Sequence, residues 1–245
     1  MNKSILILGA KSDMARAAAM HFAENGFSLI LVGRNVTDEL DVFSQTIHDT
    51  FGQKVFLHDL DILDSDATDS FLSGIKLIPN GIISFIGLLG DQQSAINKPN
   101  HAQTILTSNF NAITPILDFF ANQYENRPGS FIIGVSSVAG IRGRKSNYYY
   151  GSAKAAFSAY LSGLRNRLYK ANVNVLTVLP GYVETKMIEG MELPKWVTVS
   201  PEYVGKKIFK AYDKKKDVVY IPGFWKIIML IITLIPERIF KKLNL

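Results

Sequence analysis

Short apolar runs alternate along the chain with longer segments whose apolar positions follow a helical period. This alternation predicts a β-strand followed by a helix, repeated through the whole sequence. Strands are predicted at residues 4–8, 28–32, 54–57, 81–86, 130–135, 173–179 and 218–221. Helices are predicted at residues 13–25, 37–50, 67–75, 102–124, 149–171 and 201–212.

The predicted strands carry Ile, Val and Leu at consecutive positions, so both faces of each strand are apolar. Such strands are typical of a parallel sheet that helices cover on both sides. The sequence therefore predicts an α/β fold of the doubly wound Rossmann type, with a seven-stranded parallel sheet and helices on both faces. We assign residues 1–223 to this domain and residues 224–245 to an apolar and basic C-terminal helical tail.

The first predicted strand ends at Gly9 and a helix follows at once, which is the context of a dinucleotide-binding turn. Asp13 stands where a second glycine is usual, and a carboxylate facing a pyrophosphate would repel it. We therefore expect Asp13 to turn inward as a helix N-cap, which leaves the helix N-terminus to attract phosphate. The turn residues assigned to the cofactor are Gly9, Lys11, Ser12, Asp13 and Met14.

The second predicted strand ends at Gly33-Arg34, without the acidic residue that binds the ribose 2′-hydroxyl in NAD enzymes. Arg34, helped by Lys11, instead suits the 2′-phosphate of NADPH, although a solvated loop arginine is the alternative. After the third strand, Asp61 is a candidate for the adenine amino group and Ile62 for the face of the ring. An N-cap by Asp64 or Ser65 accounts for part of the same acidic run.

Tyr150 and Lys154 lie four residues apart in a predicted helix and therefore share one face. An ammonium near a phenol favours the phenolate, so we expect Lys154 to lower the pKa of Tyr150 and make it an acid–base group. Ser137 lies thirteen residues before Tyr150, at the end of a predicted strand, where its hydroxyl can hydrogen-bond a substrate carbonyl. Tyr148 and Tyr149 lack a lysine at this offset.

In order and spacing these residues resemble the short-chain dehydrogenase/reductase family, over essentially the whole chain. The resemblance implies that Tyr150 donates a proton to a carbonyl oxygen as hydride arrives, while Lys154 also holds the nicotinamide ribose. It implies that Ser137 orients the carbonyl and that Asn109 holds a water in a proton relay; an amide that satisfies a helix bend is the alternative for Asn109. Further cofactor contacts are implied for Pro180, Gly181, Val183 and Thr185.

One segment departs from the family pattern. An Asn-Asn-Ala-Gly run is usual after the fourth strand, whereas this chain has Ser84-Phe85-Ile86-Gly87, so only Gly87 is kept as a cofactor residue. Together with Asp13, this difference marks a divergent branch. The neighbouring Ser136 is expected to have a structural role, because Ser137 has the catalytic spacing.

Within the family, three segments resemble the decaprenylphosphoryl 2-keto-pentose reductases. They are residues 87–91 (GLLGD), 142–147 (RGRKSN) and 235–243 (IPERIFKKL). This resemblance implies a lipid-linked carbonyl substrate, a keto-sugar on a polyprenyl phosphate, in cell-envelope polysaccharide synthesis. Arg142, Arg144 and Lys145 are candidate ligands of a substrate phosphate, and a solvated basic loop is the alternative.

The C-terminal tail contains the apolar segment 224–235, in which only Lys226 and Thr233 are polar. As a helix it is about 18 Å long and cannot cross a hydrocarbon core of about 30 Å. It either lies in a membrane surface, with nearby lysines and arginines on anionic headgroups, or covers the cleft or a subunit contact. Residues 195–245 hold 11 Lys and Arg against 4 Asp and Glu, whereas the other 194 residues hold 16 against 17, which suggests an acidic partner.

Composition narrows the remaining possibilities. The chain has no cysteine, and its four histidines lack metal-ligand spacing, so we expect no metal site. We expect no nucleic-acid binding. The N-terminus resembles no secretory signal, which favours the cytoplasm, with peripheral binding to the inner face of the plasma membrane as an option. The family resemblance implies a homo-oligomer, a dimer or tetramer. A soluble ketoreductase of an acyl or small carbonyl compound and a cofactor-sensing binding protein remain alternatives.

Overall fold

The computed structural model describes residues 3–190 and 194–243 of the chain. Its strands are β1 (Lys3–Leu8), β2 (Phe27–Gly33), β3 (Val55–Asp59), β4 (Gly81–Ser84), β5 (Phe131–Val135), β6 (Asn174–Pro180), β7 (Tyr182–Val183), β8 (Thr198–Val199) and β9 (Val218–Ile221). Seven of them form one sheet in the order β3-β2-β1-β4-β5-β6-β9, and every pair in it is parallel. The predicted seven-stranded parallel sheet is confirmed.

The helices of the described residues alternate with these strands. They are α1 (Asp13–Glu24), α2 (Val36–Glu39), α3 (Asp41–Phe51), α4 (Ser65–Gly74), α5 (Gln92–Asn97), α6 (Pro99–Leu106), α7 (Thr114–Tyr124), α8 (Tyr148–Leu168), α9 (Pro201–Asp213), α10 (Trp225–Leu234) and α11 (Glu237–Phe240).

Neighbouring residues of β1 point to opposite faces of the sheet and enter different apolar clusters. Ile5 and Ile7 pack with side chains of α1, α3 and α9, whereas Leu6 and Leu8 pack with side chains of α4, α7 and α8. Because successive side chains of a strand alternate, a strand that is apolar at every position must be covered on both faces. The predicted Rossmann-type layering is confirmed.

The strand order places a crevice beside the carboxyl end of β1. The chain runs outward from β1 to β3 and then returns to β4 on the other side of β1. Leu8 lies next to Val32 on one side and next to Ser84 on the other. The loops after β1 and β4 therefore diverge, and such a point is where ligands bind in open α/β sheets.

Two predicted helices are interrupted in the structure. The predicted helix 102–124 consists of α6, a π turn at Thr107–Asn111, and α7. Pro115 stands in the first turn of α7, where its missing N–H costs nothing, but a continuous helix would have needed that donor. The predicted helix 37–50 is divided at Leu40, whose φ of −113° leaves the helical region. Helix α5 was not predicted.

The C-terminal tail forms α10 and α11, and residues 244 and 245 lie outside the described residues. Trp225 and Met229 of α10 are buried with Val138 and Leu179 beside the end of β6. The opposite side of α10 exposes its large aliphatic side chains, which are Ile227, Leu230, Ile231 and Leu234. Within residues 3–190 and 194–243, no helix combines the length and the apolar character needed to cross a bilayer.

Candidate active site

Two adjacent cavities open at the carboxyl end of the sheet. The first, which we call the turn cavity, has a volume of about 450 Å³ and lies between the loops after β1 and β4. The second, which we call the tyrosine cavity, has a volume of about 340 Å³ and is lined by both Ser137 and Tyr150. Met187 lines both cavities. A ligand in the turn cavity can therefore reach a molecule held beside Tyr150.

The turn cavity gathers ten of the residues that the sequence assigns to a cofactor, from segments far apart in the chain. They are Gly9, Lys11, Ser12, Asp13, Met14, Arg34, Asp61, Ile62, Gly87 and Thr185. Gly87 also approaches the catalytic candidates, because a Cβ built on it would lie 3.5 Å from Lys154 Nζ and 3.6 Å from Asn109 Oδ1.

Gly9 makes the turn after β1 possible. Its φ is +74°, and its N–H donates to the carbonyl of Val32 at 2.9 Å. A Cβ at this position would lie 3.1 Å from both the backbone nitrogen and Cγ1 of Ile86. Only glycine adopts this positive φ without strain and also lets the loop after β1 approach the loop after β4 so closely.

The expectation that Asp13 caps α1 is wrong. Ser12 occupies the N-cap position, although its side chain accepts no capping hydrogen bond. Asp13 is the first helical residue, and its carboxylate accepts from Arg16 Nη2 at 2.5 Å. Since Arg16 lies three residues further on the same helix face, it neutralises the carboxylate without removing it from the turn cavity.

The cationic residues at the far end of the turn cavity each face an acid. Lys11 Nζ lies 2.6 Å from Glu39 Oε1, and Arg34 lies 4.0 Å from the Asp61 carboxylate with 70% of its side chain exposed. Exposed pairs of this kind are weak and are readily exchanged for a stronger anion. In the acidic run after β3, Asp64 is the N-cap of α4, as the alternative interpretation of this run expected. Its carboxylate accepts from the N–H of Ala67 at 3.0 Å.

Tyr150 and Lys154 lie in the first turns of α8 and are both buried. Lys154 Nζ is 5.8 Å from the centroid of the Tyr150 ring. It donates to the carbonyls of Ile86 at 2.9 Å and Val135 at 3.1 Å. These two bonds fix the ammonium at the junction of the β4 and β5 ends, within reach of the turn cavity.

The expected lowering of the Tyr150 pKa is not found. Burial raises the pKa of Tyr150 to about 12, and the interaction with the Ser137 hydroxyl only partly opposes this rise. Burial also lowers the pKa of Lys154 to about 7. The sequence shows that the two groups are neighbours but not that both are desolvated, and desolvation disfavours each charged form.

Asn109 lies in the π turn between α6 and α7 and is fully buried. Its Nδ2 donates to the carbonyls of Leu88 at 2.7 Å and Ile105 at 2.8 Å, and its Oδ1 accepts from Leu88 N–H at 3.1 Å. The amide therefore satisfies the helix bend and also holds the loop after β4. Because an amide oxygen accepts two hydrogen bonds, capacity for one further donor remains.

The two serines after β5 have different roles. The Ser136 hydroxyl donates to the Lys154 carbonyl at 2.9 Å and lies 2.7 Å from the Ser158 hydroxyl, so it joins β5 to α8. The Ser137 hydroxyl accepts from Ala139 N–H at 3.1 Å and faces the tyrosine cavity. The structural role expected for Ser136 is confirmed.

The residues of the segment after β6 differ in which cavity they line. Pro180 ends β6, Val183 is buried in β7, and neither lines the turn cavity or the tyrosine cavity, whereas Gly181 lines the tyrosine cavity. A Cβ on Gly181 would clash with the Trp225 indole. Pro180 and Val183 therefore hold this segment in place, and Gly181 leaves room for the tail to pack against it.

The three basic residues proposed for a substrate phosphate separate in the structure. Arg142 donates to the carbonyls of Ile232 and Ile235, pairs with Glu237 at 2.9 Å and stacks on Phe240, so it fastens the tail. Lys145 is exposed and does not line the cavity. Only Arg144 reaches the tyrosine cavity. The phosphate hypothesis is wrong for Arg142, because its guanidinium is already occupied.

Sequence reasoning missed several residues that line the tyrosine cavity, namely Gln92, Asn147, Tyr182 and Met187. Asn147 and Tyr182 lie within segments that the resemblance singled out, but neither was assigned a role there, and Gln92 lies in the helix that was not predicted. Asn147 stands before the run of tyrosines, where an asparagine is expected as an ordinary N-cap. A search for polar residues flanking Tyr150 would have found Asn147 alone.

Comparison with known proteins agrees with this geometry. Residues 3–195 match the short chain dehydrogenase family. An uncharacterized oxidoreductase of Mycobacterium tuberculosis is 29% identical over 243 residues, which cover 98% of this chain and 96% of that protein. A 7beta-hydroxysteroid dehydrogenase of Clostridium sardiniense is 24% identical over 220 residues, 86% of this chain and 82% of that protein.

The fold is also found among solved structures. A short-chain dehydrogenase from Sphingobium yanoikuyae in complex with NADPH superposes with a TM-score of 0.82 at 20% identity, covering 96% of this chain and 97% of that one. The family match spans β1 to β7, every residue that lines the two cavities, and the tyrosine–lysine pair. The chain belongs to the short-chain dehydrogenase family of NAD(P)-dependent oxidoreductases.

Proposed function

We propose that this protein is an NADPH-dependent reductase of a carbonyl compound. The observation that carries the proposal is the meeting of the turn cavity and the tyrosine cavity at Met187, with Ser137 and Tyr150 on the wall of the second. Bound NADPH supplies a hydride to the carbonyl carbon. Tyr150, Ser137, Lys154 and Asn109 then have the roles that the family resemblance implies.

The turn cavity fits a dinucleotide. Gly9 brings the backbone close to the loop after β4, and no side chain caps α1 at Ser12, so the first-turn N–H groups are left for a pyrophosphate. Arg34 and Lys11 offer two cations for a 2′-phosphate, and no acid occupies the end of β2. Asp61 and Ile62 are proposed at the adenine, and Gly87 and Thr185 nearer to the nicotinamide.

Tyr150 is suited to donate a proton. With a pKa near 12 its phenol stays protonated at neutral pH, so the acid is ready when the carbonyl oxygen gains charge. The Ser137 hydroxyl lies in the same cavity and can donate to that oxygen. In its protonated form Lys154 has one ammonium hydrogen beyond the two that bind carbonyls, and this hydrogen is available to a ribose hydroxyl.

Asn109 completes the proposed proton path. Its oxygen accepts only from Leu88 N–H among the described residues, and a water bound there would lie near Gly87 and Lys154. Such a water can return a proton to Tyr150 after each turnover. The same amide holds the helix bend, so the structural and relay roles coexist.

The preference for NADPH is testable at Arg34. Replacing it in Arg34→Gln is expected to raise KM for NADPH by about 10- to 100-fold and to leave KM for NADH nearly unchanged, because one charge-assisted bond to the 2′-phosphate is lost. The matched control is Arg167→Gln, which removes an exposed arginine of α8. This arginine pairs with Glu125. Equal KM changes for the two cofactors would contradict the assignment.

For the substrate we propose a keto-sugar on a polyprenyl phosphate, reduced at the inner face of the plasma membrane during cell-envelope polysaccharide synthesis. The tail supports this proposal. Its buried face, Trp225 and Met229, packs beside the tyrosine cavity, and its outer face exposes Leu230 and Leu234. The same tail exposes the cations Lys226, Arg238, Lys241 and Lys242. A segment that exposes both apolar side chains and cations suits an anionic lipid surface.

Vesicle flotation tests the membrane arm of the proposal. The protein is expected to float with vesicles of phosphatidylcholine and phosphatidylglycerol, and the double variant Leu230→Gln/Leu234→Gln to bind at least about tenfold more weakly. The control is Leu77→Gln, since Leu77 is even more exposed than the two tail leucines but lies outside the tail. A wild-type protein that stays unbound would leave the soluble ketoreductase, with α10 buried in a homo-oligomer, as the better account.

A further inference from the structure

Three buried polar side-chain atoms of residues around the tyrosine cavity have no hydrogen-bond partner within residues 3–190 and 194–243. They are Gln92 Nε2, Arg144 Nε and Asn147 Oδ1. All three residues line this one cavity. Buried polar atoms are almost always paired, so three orphans that share a cavity indicate a ligand that pairs with them.

Each of these groups is held in place by a neighbouring contact. Gln92 Oε1 accepts from Tyr149 N–H at 3.2 Å, which fixes the amide nitrogen as the free end. Arg144 Nη2 contacts the Met229 sulfur of α10 at 3.5 Å. Asn147 occupies the N-cap position of α8, yet its side chain makes no capping bond. An asparagine at this position ordinarily bonds to the helix, so its oxygen is left for something else.

The three atoms together present two donors and one acceptor. The guanidinium and the Gln92 amide donate, whereas Asn147 Oδ1 only accepts. A hydroxyl both accepts and donates, so two neighbouring hydroxyl groups satisfy all three atoms. The phosphodiester that joins a sugar to a polyprenyl chain has no proton to give and would leave Asn147 Oδ1 unpaired.

The charge of the cavity also favours an uncharged ligand. Asp91 lines the same cavity as Arg144. Hydrogen bonds from Ser94 hold the pKa of Asp91 below its ordinary value, so the carboxylate is ionised at neutral pH. One cation and one anion leave little net charge in the cavity, and a phosphate entering it would meet the carboxylate.

We propose that Gln92, Arg144 and Asn147 form a subsite for two hydroxyl groups on the ring of the substrate. This inference rests on the proposed function, because it describes the part of the substrate that lies beside the reacting carbonyl. Asn147 lies one helical turn before Tyr150, so a ring held here is oriented toward the phenol and Ser137. The phosphate and lipid of the substrate then lie outside the cavity, toward the tail.

Binding of a sugar without a ketone tests the subsite independently of catalysis. The probe is methyl arabinofuranoside, titrated calorimetrically into the protein with NADP present. Arg144→Met and Gln92→Met each keep the length of the side chain and remove the donor, and each is expected to weaken binding about 10-fold or more. The control is Lys145→Met, which removes an adjacent cation that does not line the cavity.

Two further ligands make the result decisive. The deoxygenated analogue 2-methoxytetrahydrofuran is expected to bind all four proteins equally, and inorganic phosphate is expected not to compete with the sugar. Equal sugar affinity in the wild type and in both methionine variants would overturn the subsite. So would phosphate that competes with the sugar in the wild type but not in Arg144→Met. Unchanged melting temperatures and NADPH affinities show that the variants fold. Failure of the proposed function is seen separately, as absence of NADPH oxidation with any carbonyl.

Discussion

Replacing Tyr150 by Phe is expected to lower kcat for carbonyl reduction by about 10²- to 10⁴-fold, the range that a general acid contributes. The substitution removes one oxygen from a buried side chain at the wall of the tyrosine cavity and leaves the ring in its apolar contacts with Ala139 and Ile105. NADPH affinity is expected to change less than about threefold, since the phenol is not on the wall of the turn cavity.

The neighbouring tyrosines provide matched controls for this loss. Tyr148→Phe and Tyr149→Phe remove the same oxygen two residues and one residue earlier in α8, and both should retain kcat within about threefold. The measurement is steady-state NADPH oxidation at saturating carbonyl, with fluorescence titration of NADPH on each protein. A Tyr150→Phe protein as active as Tyr148→Phe would remove the basis of the proposed mechanism.

Replacing Lys154 by Met should have the second largest effect, and it should appear in stability as well as activity. The pKa of Lys154 falls from its ordinary value near 10.4 when unfolded to about 7 when folded. Between these values the unfolded chain binds a proton that the folded protein does not. The free energy of unfolding of the wild type should therefore rise as pH increases from about 7 to 10, and be insensitive to this group below pH 7.

The variant Lys154→Met lacks this contribution. Relative to it, the wild type should gain about 1 kcal/mol per pH unit between pH 7.5 and 9.5, measured by urea unfolding. This window avoids Tyr150, whose raised pKa has the opposite sign and removes stability only above about pH 10. We also expect kcat to fall by about 100-fold in Lys154→Met. Parallel pH profiles for the two proteins would show that Lys154 is not desolvated.

The exposed lysine Lys170 gives a control for the pH measurement, because Lys170→Met removes a charge beyond the end of α8 without removing a buried one. Its stability profile should run parallel to that of the wild type. A slope that also changes in Lys170→Met would point to overall charge rather than to burial.

Much of the fold could be predicted from the sequence. Continuous apolar runs such as residues 4–8 and 130–135 require cover on both faces, which fixes the parallel sheet and the helical layers. The turn at Gly9 and the four-residue spacing of Tyr150 and Lys154 are local features, and the structure places Gly9 on the turn cavity and Tyr150 on the tyrosine cavity. The cavities then follow from the strand order.

Features that depend on distant contacts could not be predicted. Whether Lys154 lowers the pKa of Tyr150 depends on how far both are desolvated, and that depends on the loop after β4, on β5 and on α6 together. Nothing in the sequence around Arg142 indicates that its partners lie some ninety residues later, in α10 and α11. Asp13 follows the pattern of a cap, but Arg16 is a nearer partner.

The central claim is that a reduced dinucleotide and Tyr150 act on the same carbonyl. A single turnover with [4,4-²H₂]NADPH and a farnesylphosphoryl 2-keto-pentose tests it directly, with the product analysed by mass spectrometry. We predict one deuterium on the new carbinol carbon in the wild type and none formed on the same timescale by Tyr150→Phe. A reduced product without deuterium, or deuterium transferred equally fast without the phenol, would contradict the claim.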